Sequence, residues 1–191
     1  MAVYTRINQG DLSLIEKTFK IGKILSFSGI KKGIENTNYL LKTKNRKIIL
    51  TIFEKRVQKK DLPFFMNLMF GLSRQKIKCP EPIKNKKGKY LFKIKNKTAF
   101  LVSFLEGKDN INLTNKDCYS VGKIAALLHM AAKKLRLFRK NSLSVNSWGP
   151  LLNRIDKRIN KLSDDLINIM KNDLSDIKKK MAKEYAQWNN S

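Results

Sequence analysis

The amino-acid sequence predicts an α+β fold in which a mostly β segment is followed by helices. Five short apolar runs with strand character lie between residues 24 and 105, and one amphipathic helix is inserted among them. After Gly107 the pattern changes to helical periodicity. Because strands and helices are segregated along the chain, the sequence favours two regions, 1–105 and 106–191.

The β region begins with a short helix and a three-stranded segment. Residues 8–21 place Leu12, Ile15 and Phe19 on one helical face. The stretch Ile24–Arg56 indicates strand, glycine-containing loop, strand, polar turn and strand in succession. We expect the remaining strands to extend the sheet that this stretch begins.

The loop after the first strand carries Gly29 and Gly33 on either side of Lys31-Lys32 and leads into Asn36-Thr37-Asn38. Glycines let backbone N–H groups approach an anionic ligand, because no Cβ intervenes. The same pattern is compatible with an ordinary β-meander whose glycines only form turns. The spacing by itself leaves both interpretations open.

The inserted helix begins near Asp61, which is predicted to cap it, and its apolar stripe predicts core packing. An extended connector, Cys79-Pro80-Glu81-Pro82, follows the helix. Two further strands are predicted at Tyr90–Lys95 and Thr98–Leu105.

The helical region opens with a capping box at Thr114 and Asp117. The lone histidine, His129, lies in an apolar helical stretch and is interpreted as a structural residue. Five residues of this helix share the face that we expect to be buried: Val121, Ile124, Ala125, Leu128 and Leu135.

The net charge of +26 has two interpretations. It is compatible with a small basic protein that binds nucleic acid without catalysis. The charge, however, comes mostly from scattered lysines rather than the arginines that favour phosphate and base contacts, which indicates a compositional bias of the genome. No run of 18 apolar residues and no cysteine–histidine metal set occur, so the sequence favours a cytoplasmic protein without a membrane or specific nucleic-acid partner.

Several longer strings are specific enough to indicate a protein family. Among them are LSFSGIKKGIENTNYLLKT, ILTIFEKRV, KDLPFFMNLM, FLVSFLEGK and RKNSL. Their order and spacing resemble the homoserine kinases of the aminoglycoside-phosphotransferase-like family, to about residue 152. The resemblance implies a protein-kinase-like fold, with residues 1–105 as the nucleotide-binding lobe and 106–191 as the start of a helical lobe. It implies an enzyme of threonine biosynthesis that uses ATP and Mg²⁺ to phosphorylate L-homoserine.

The resemblance also implies a site. The glycine loop would cover the triphosphate, the segment after the fifth strand would contact adenine, and Lys55 or Arg56 would supply charge near the phosphates, unless both are solvated strand-end charges. Arg139 and Asn141 are candidates for the substrate. The nucleotide-binding residues predicted in this way are Gly29, Lys32, Gly33, Asn36, Thr37, Asn38, Thr51, Lys55, Arg56, Ser103, Phe104, Leu105 and Glu106.

Two differences from related kinases qualify these expectations. Many kinase-like enzymes carry lysine within the third strand, where this sequence and the homoserine-kinase pattern have threonine, here Thr51. The catalytic loop His-x-Asp-x-x-x-x-Asn and the metal-binding Asp-Phe-Tyr string do not occur in the 191 residues. The resemblance therefore implies an N-terminal fragment that has no catalytic residues or metal ligands of its own, binds ATP weakly and transfers no phosphate by itself.

Overall fold

A computed structural model describes residues 3–54, 58–107, 110–141, 144–156 and 164–189. The chain divides into two compact units, Met1–Arg139 and Lys140–Ser191. The first unit contains helix α1 (Gln9–Thr18), five strands, helix α2 (Leu62–Arg74) and helix α3 (Asn115–Lys134).

The five strands form one antiparallel sheet, which confirms the predicted α+β class. They are β1 (Ile24–Gly29), β2 (Asn36–Thr43), β3 (Lys47–Phe53), β4 (Phe92–Ile94) and β5 (Lys97–Ser103), in the spatial order β1-β2-β3-β5-β4. The register places Asn38 opposite Thr51 and Thr51 opposite Phe100. Strand β3 is therefore central, and its residues alternate between the two faces of the sheet.

One face of the sheet carries the larger core. Leu41, Leu50 and Leu101 project to this side and are fully buried together with Ile15 and Phe19, which confirms the predicted apolar face of α1. Burying a leucine or isoleucine side chain contributes about 1.5–3 kcal/mol. This face therefore supplies most of the apolar stabilisation of the first unit.

The opposite face is covered less completely. A small cluster of Met66 from α2 with Phe100 and Val102 from β5 is buried there, and Phe53 stacks on Phe100 with ring centroids 5.2 Å apart. Because this cluster covers one part of the face, a cleft remains open beside it.

The start of α2 differs from the prediction. Asp61 occupies the N-cap position, but its side chain forms no capping hydrogen bond. Its carboxylate instead lies 2.8 Å from the guanidinium of Arg139. A charged partner thus competes successfully with the helix N–H groups for this carboxylate.

The capping box of α3 is confirmed, because Thr114 and Asp117 each accept a backbone N–H bond from the other. The expectation that the stripe of α3 is buried is wrong for Val121, Ile124 and Leu128, which are exposed to 63%, 59% and 37%. Ala125 is also exposed, and Leu135 is half-buried. Amphipathic spacing indicates which side chains share a face, but burial needs a neighbouring element.

The second unit contains helices α4 (Val145–Asp156) and α5 (Asp164–Asn189). Leu152 of α4 and Ile167 of α5 are buried. Among the described residues, no helix is long and apolar enough to cross a membrane.

Candidate functional site

A cleft of about 410 Å³ lies on the less covered face of the sheet, between the glycine loop and the end of β5. Its lining is mostly apolar, with a few polar groups, which is the usual composition of a small-molecule site. The lining residues are Ile30, Asn38, Ile49, Thr51, Met69, Pro80, Phe100, Val102, Ser103, Phe104 and Leu105.

Asn38 and Thr51 form a neutral polar pair in this cleft. They lie opposite each other on β2 and β3, and the Thr51 hydroxyl donates a hydrogen bond of 2.7 Å to the side-chain oxygen of Asn38. Thr51 is 9% exposed, so this bond satisfies a nearly buried hydroxyl. The bond leaves the amide nitrogen of Asn38 as a donor for a ligand.

The glycine loop is held at its base and by the N-terminal segment. Ile30 N donates to Asn38 O at 2.9 Å, which joins the two ends of the loop. The hydroxyl of Tyr4 donates to Ile34 O at 3.0 Å. At Gly29 a Cβ would lie 2.9 Å from a methyl group of Val3, so glycine permits the N-terminal segment to pass closely.

Gly33 has a different requirement. Its φ of +116° is strained for any residue with a side chain, whereas a Cβ there would have open space around it. Glycine is therefore required at position 33 for the backbone conformation of the loop, and at position 29 for the close packing of Val3.

The segment after β5 lines the cleft with Ser103, Phe104 and Leu105. Ser103 N donates to Glu81 O at 2.9 Å, and Phe104 N donates to Lys47 O at 3.3 Å. Leu105 lines the cleft, and in the part of the chain that the structure describes its N–H and C=O form no hydrogen bond. The segment therefore offers one donor and one acceptor, the N–H and the C=O of the same residue.

Glu106 lies in a neighbouring hollow of about 470 Å³ rather than in the lining of the cleft. Its carboxylate pairs with the ammonium of Lys47 at 2.7 Å, and that ammonium also lies 5.2 Å from the centre of the Phe104 ring. These charges satisfy one another, so the larger hollow is the weaker candidate for a ligand.

Thr37 faces away from the cleft. Its side chain is buried on the α1 side of the sheet, where its hydroxyl accepts hydrogen bonds from Tyr4 N and Thr5 N at 2.9 and 3.1 Å. The same hydroxyl donates to Glu54 at 2.7 Å. This contact anchors the N-terminal segment behind the glycine loop.

Glu54 is the centre of that anchor. Its carboxylate accepts hydrogen bonds from the hydroxyl groups of Thr5 and Thr37 and from the ammonium of Lys97. Burial would raise the pKa of Glu54, but the bonds from Lys97, Thr5 and Thr37 together hold it below its ordinary value. The carboxylate is therefore ionised near neutral pH.

The other predicted residues fall in several places. Lys32 and Gly33 lie in the exposed loop, and Asn36 begins β2 with a buried side-chain oxygen that has no hydrogen-bond partner among the described residues. The cations predicted to lie near the phosphates, Lys55 and Arg56, lie outside the described residues.

Of the two predicted substrate residues, Arg139 belongs to the first unit and has defined contacts. Arg139 is held by Asp61 and lies 5.2 Å from the centre of the Phe65 ring, so it is attached to the start of α2. Asn141 belongs to the second unit. The contacts of Arg139 therefore account for its position without a ligand.

Sequence reasoning missed the apolar walls of the cleft. With Thr51 as a site residue, alternation along β3 would also have pointed to Ile49. Phe100 and Val102 follow from the same rule once the register of β5 is known. Met69 of α2 carries no local signal, because its contribution depends on how the helix crosses the sheet.

Among the described residues, no three histidine, cysteine, aspartate or glutamate side chains come close enough to hold a metal ion. A kinase that uses Mg²⁺ holds it through carboxylates and phosphate oxygens. The described part of this chain therefore does not fit a protein-held magnesium site.

A profile of the phosphotransferase enzyme family matches residues 26–178. The homoserine kinase of Parvibaculum lavamentivorans is 42% identical over 151 residues, which cover 79% of this chain and 47% of that protein. The homoserine kinase of Rhizobium etli is 38% identical over 174 residues, which cover 91% of this chain and 54% of that protein. The chain thus spans about half the length of these curated relatives.

Solved structures share the fold. Spectinomycin phosphotransferase APH(9)-Ia, in complex with ADP and spectinomycin, aligns with a TM-score of 0.59 at 15% identity, over 84% of this chain and 50% of that one. The AMP-bound form of APH(9)-Ia aligns with a TM-score of 0.57 over 94% of this chain and 60% of that one. At such low identity the similarity establishes the architecture alone.

Proposed function

Since the chain belongs to the phosphotransferase enzyme family, we propose that it is the nucleotide-binding half of a kinase that phosphorylates L-homoserine with ATP. The product would be O-phospho-L-homoserine, an intermediate of threonine biosynthesis, and the reaction would take place in the cytoplasm. The nucleotide part of this proposal rests on the cleft, and the substrate part rests on the names of the relatives.

The observation that carries the nucleotide assignment is the backbone of Leu105: this residue lines the cleft, and its N–H and C=O form no hydrogen bond among the described residues. An adenine base offers a donor and an acceptor on one edge and two flat apolar faces. Leu105 supplies the matching N–H and C=O, and Ile49 and Val102 supply apolar contact. The ADP complex of the structurally similar spectinomycin phosphotransferase is consistent with this assignment.

The phosphates would extend from the adenine end towards Asn38 and Thr51, beneath the glycine loop. The amide nitrogen of Asn38 and the backbone N–H groups of the loop between Ile30 and Asn36 are the proposed donors. Lys32, Lys55 and Arg56 are the proposed cations. Thr37 would contribute through its backbone only, because its side chain faces the α1 side.

The described residues do not hold a metal ion, and no step of the reaction is assigned to them. What this half does is bind and orient the nucleotide, while Arg139 and Asn141 remain predictions for the substrate side. A base for the homoserine hydroxyl and ligands for Mg²⁺ would have to come from outside the described residues. By itself the chain is therefore expected to bind ATP without transferring phosphate.

That expectation is tested with the purified 191-residue chain. Binding of a fluorescent ATP analogue is expected, and ADP release in the presence of ATP, Mg²⁺ and homoserine is expected to stay at the background rate. Clear turnover by this chain would contradict its assignment as a binding half. Absence of any nucleotide binding would contradict the assignment of the cleft.

The substrate is tested with a chimera that joins this chain to the part of the Rhizobium etli homoserine kinase outside the aligned region. ADP release that depends on homoserine is expected. A preference for choline or an aminoglycoside would contradict the homoserine assignment. Tight, strongly salt-dependent binding of the chain to random duplex DNA would favour the nucleic-acid interpretation of its charge.

Variants of two adjacent residues on opposite faces of β2, Asn38 and Thr37, distinguish an effect on ATP binding from an effect on stability. Asn38→Ala removes the proposed phosphate donor and is expected to weaken ATP binding about tenfold, the equivalent of 1.4 kcal/mol. The matched variant Thr37→Val leaves the N–H groups of Tyr4 and Thr5 without their acceptor. It is expected to lower the free energy of unfolding by about 1–3 kcal/mol and to leave ATP affinity unchanged.

Titration with the fluorescent nucleotide and urea denaturation of both variants measure the two effects. Equal loss of ATP affinity in the two variants would show that β2 acts on the nucleotide through its stability alone. In that case the cleft side of the strand would have no specific role in binding.

A further inference from the structure

The N-terminal segment, residues 3–5, lies along the base of the glycine loop. Val3 contacts Gly29 at the end of β1, and Tyr4 N donates to the Thr37 hydroxyl of β2 at 2.9 Å. The segment therefore contacts both strands that the loop connects. Because the Thr37 side chain faces the α1 side of the sheet, the segment lies on the side opposite to the cleft.

Thr5 fixes the position of this segment. Its hydroxyl donates to Glu54 at 2.6 Å and accepts a hydrogen bond from Lys97 Nζ at 2.7 Å. Its carbonyl oxygen accepts a hydrogen bond of 2.9 Å from the Tyr39 hydroxyl. The backbone next to Tyr4 is thus held by groups from β2, from β5 and from the end of β3.

The Tyr4 side chain joins this fixed segment to the far part of the loop. Its hydroxyl donates to Ile34 O at 3.0 Å. Tyr4 is 56% exposed and Ile34 is 78% exposed, so burial holds neither side chain in place. The hydrogen bond therefore restrains the loop where packing contributes little, and it has only a small part in the stability of the core.

We infer that Tyr4 is a positioning residue for the phosphates of the bound nucleotide. Its hydroxyl holds the Ile34 carbonyl oxygen towards the N-terminal segment, on the side away from the cleft. A carbonyl oxygen carries partial negative charge and would repel a phosphate that it faced. In a planar trans peptide the N–H points opposite to the C=O, so the same bond directs the positive end of this peptide away from the segment.

This inference rests on the proposed function, because it requires phosphates beneath the glycine loop. It differs from the role of Thr37, which contacts the backbone of the segment and not the loop. Thr37→Val leaves the bond between Tyr4 and Ile34 in place, and Thr5 keeps its contacts with Glu54 and Tyr39. A variant of Tyr4 and a variant of Thr37 are therefore expected to have opposite effects.

Tyr4→Phe tests the inference, since it removes the hydroxyl and keeps the ring. ATP affinity is expected to fall about threefold to tenfold, the range of one intramolecular hydrogen bond. Adenosine affinity should change by less than about twofold, because adenosine has no phosphate to be positioned. Competition against the fluorescent ATP analogue measures both affinities in the 191-residue chain, and the melting temperature should equal that of the parent.

Two variants are controls. Tyr119→Phe makes the same chemical change at a tyrosine of α3 that is 74% exposed, and it should leave both affinities and the melting temperature unchanged. Thr37→Val should lower stability and leave ATP affinity unchanged, the reverse of Tyr4→Phe.

Hydrogen exchange measures the restraint on the loop without any nucleotide. Tyr4→Phe is expected to speed amide exchange in residues 30–36 and to leave the exchange of β3 unchanged, because local release of the loop does not open the sheet. Equal exchange of the loop in parent and variant would show that the hydroxyl does not restrain it, and would overturn the inference.

The affinities give two further ways to overturn it. One is a parent that binds ATP and a Tyr4→Phe variant that binds it equally well. The other is an equal loss of ATP and adenosine affinity, which would assign to Tyr4 a general effect on the cleft. A parent chain that binds neither ligand would contradict the proposed function, and the phosphate role of Tyr4 with it.

Discussion

Replacing Leu101 with alanine is expected to lower the free energy of unfolding by about 2–5 kcal/mol. Leu101 is fully buried in β5, opposite Leu50 of the central strand, and belongs to the core against α1. Truncation removes apolar contacts and leaves a cavity that the surroundings cannot close, because the β3 ladder holds β5 on one side and the bond from Ile83 N to Leu101 O holds it on the other. Urea denaturation followed by circular dichroism measures the loss.

Leu25→Ala is the matched control for this prediction. Leu25 also lies in a strand, but it is 64% exposed. Its truncation is expected to change the free energy of unfolding by no more than about 0.5 kcal/mol. A similar loss in both variants would mean that leucine truncation weakens the strands through β-propensity rather than through the core.

Replacing Glu54 with glutamine is expected to lower the free energy of unfolding by about 1–3 kcal/mol at neutral pH. The Glu54 side chain is 10% exposed, and the charge-assisted bonds from Thr5 and Thr37 are lost or weakened in the amide. Lys97 is 39% exposed, so solvent screens its share of the stabilisation. Glu106→Gln, at an exposed ion pair with Lys47, is the control and should change stability by less than about 1 kcal/mol.

The effect of Glu54→Gln should depend on pH. The folded state holds the pKa of Glu54 below its ordinary value, so the unfolded chain binds a proton more readily than the folded chain. The stabilisation is therefore complete above the unfolded pKa of about 4.3 and is lost as pH falls through the lower folded pKa. Denaturation at pH 7 and pH 3 should show a large difference between parent and variant at pH 7 and a smaller one at pH 3. An equal difference at both values would assign the effect to packing instead.

Much of the sheet could be predicted because its signals are local. The strand, glycine loop, strand, turn and strand of residues 24–56 follow from apolar alternation and turn residues. The capping box of Thr114 and Asp117 is a three-residue pattern that needs no other element. The prediction for Asp61 was wrong because a distant residue, Arg139, binds the carboxylate that local rules assign to the helix.

Part of the candidate site could likewise be predicted from the sequence, and part of it could not. Asn38, Thr51 and the segment from Ser103 to Leu105 were predicted and lie together in the cleft. Thr37 was predicted beside them but faces the other side, because neighbouring residues of a strand point to opposite faces. Sequence alternation shows that Thr37 and Asn38 differ in direction, whereas only packing shows which direction leads to the cleft.

By itself the sequence determined the family resemblance, the α+β class, the glycine loop and the spacing of the apolar stripe in α3, all of which are carried by residues close together in the chain. Only the tertiary structure decided that Glu54 joins Thr5, Thr37 and Lys97 behind the loop, that the backbone N–H and C=O of Leu105 have no partner among the described residues, and that most of the α3 stripe remains exposed. The physical reason is that burial and ion pairing depend on which distant elements come into contact, and periodicity along one element contains no information about its neighbours.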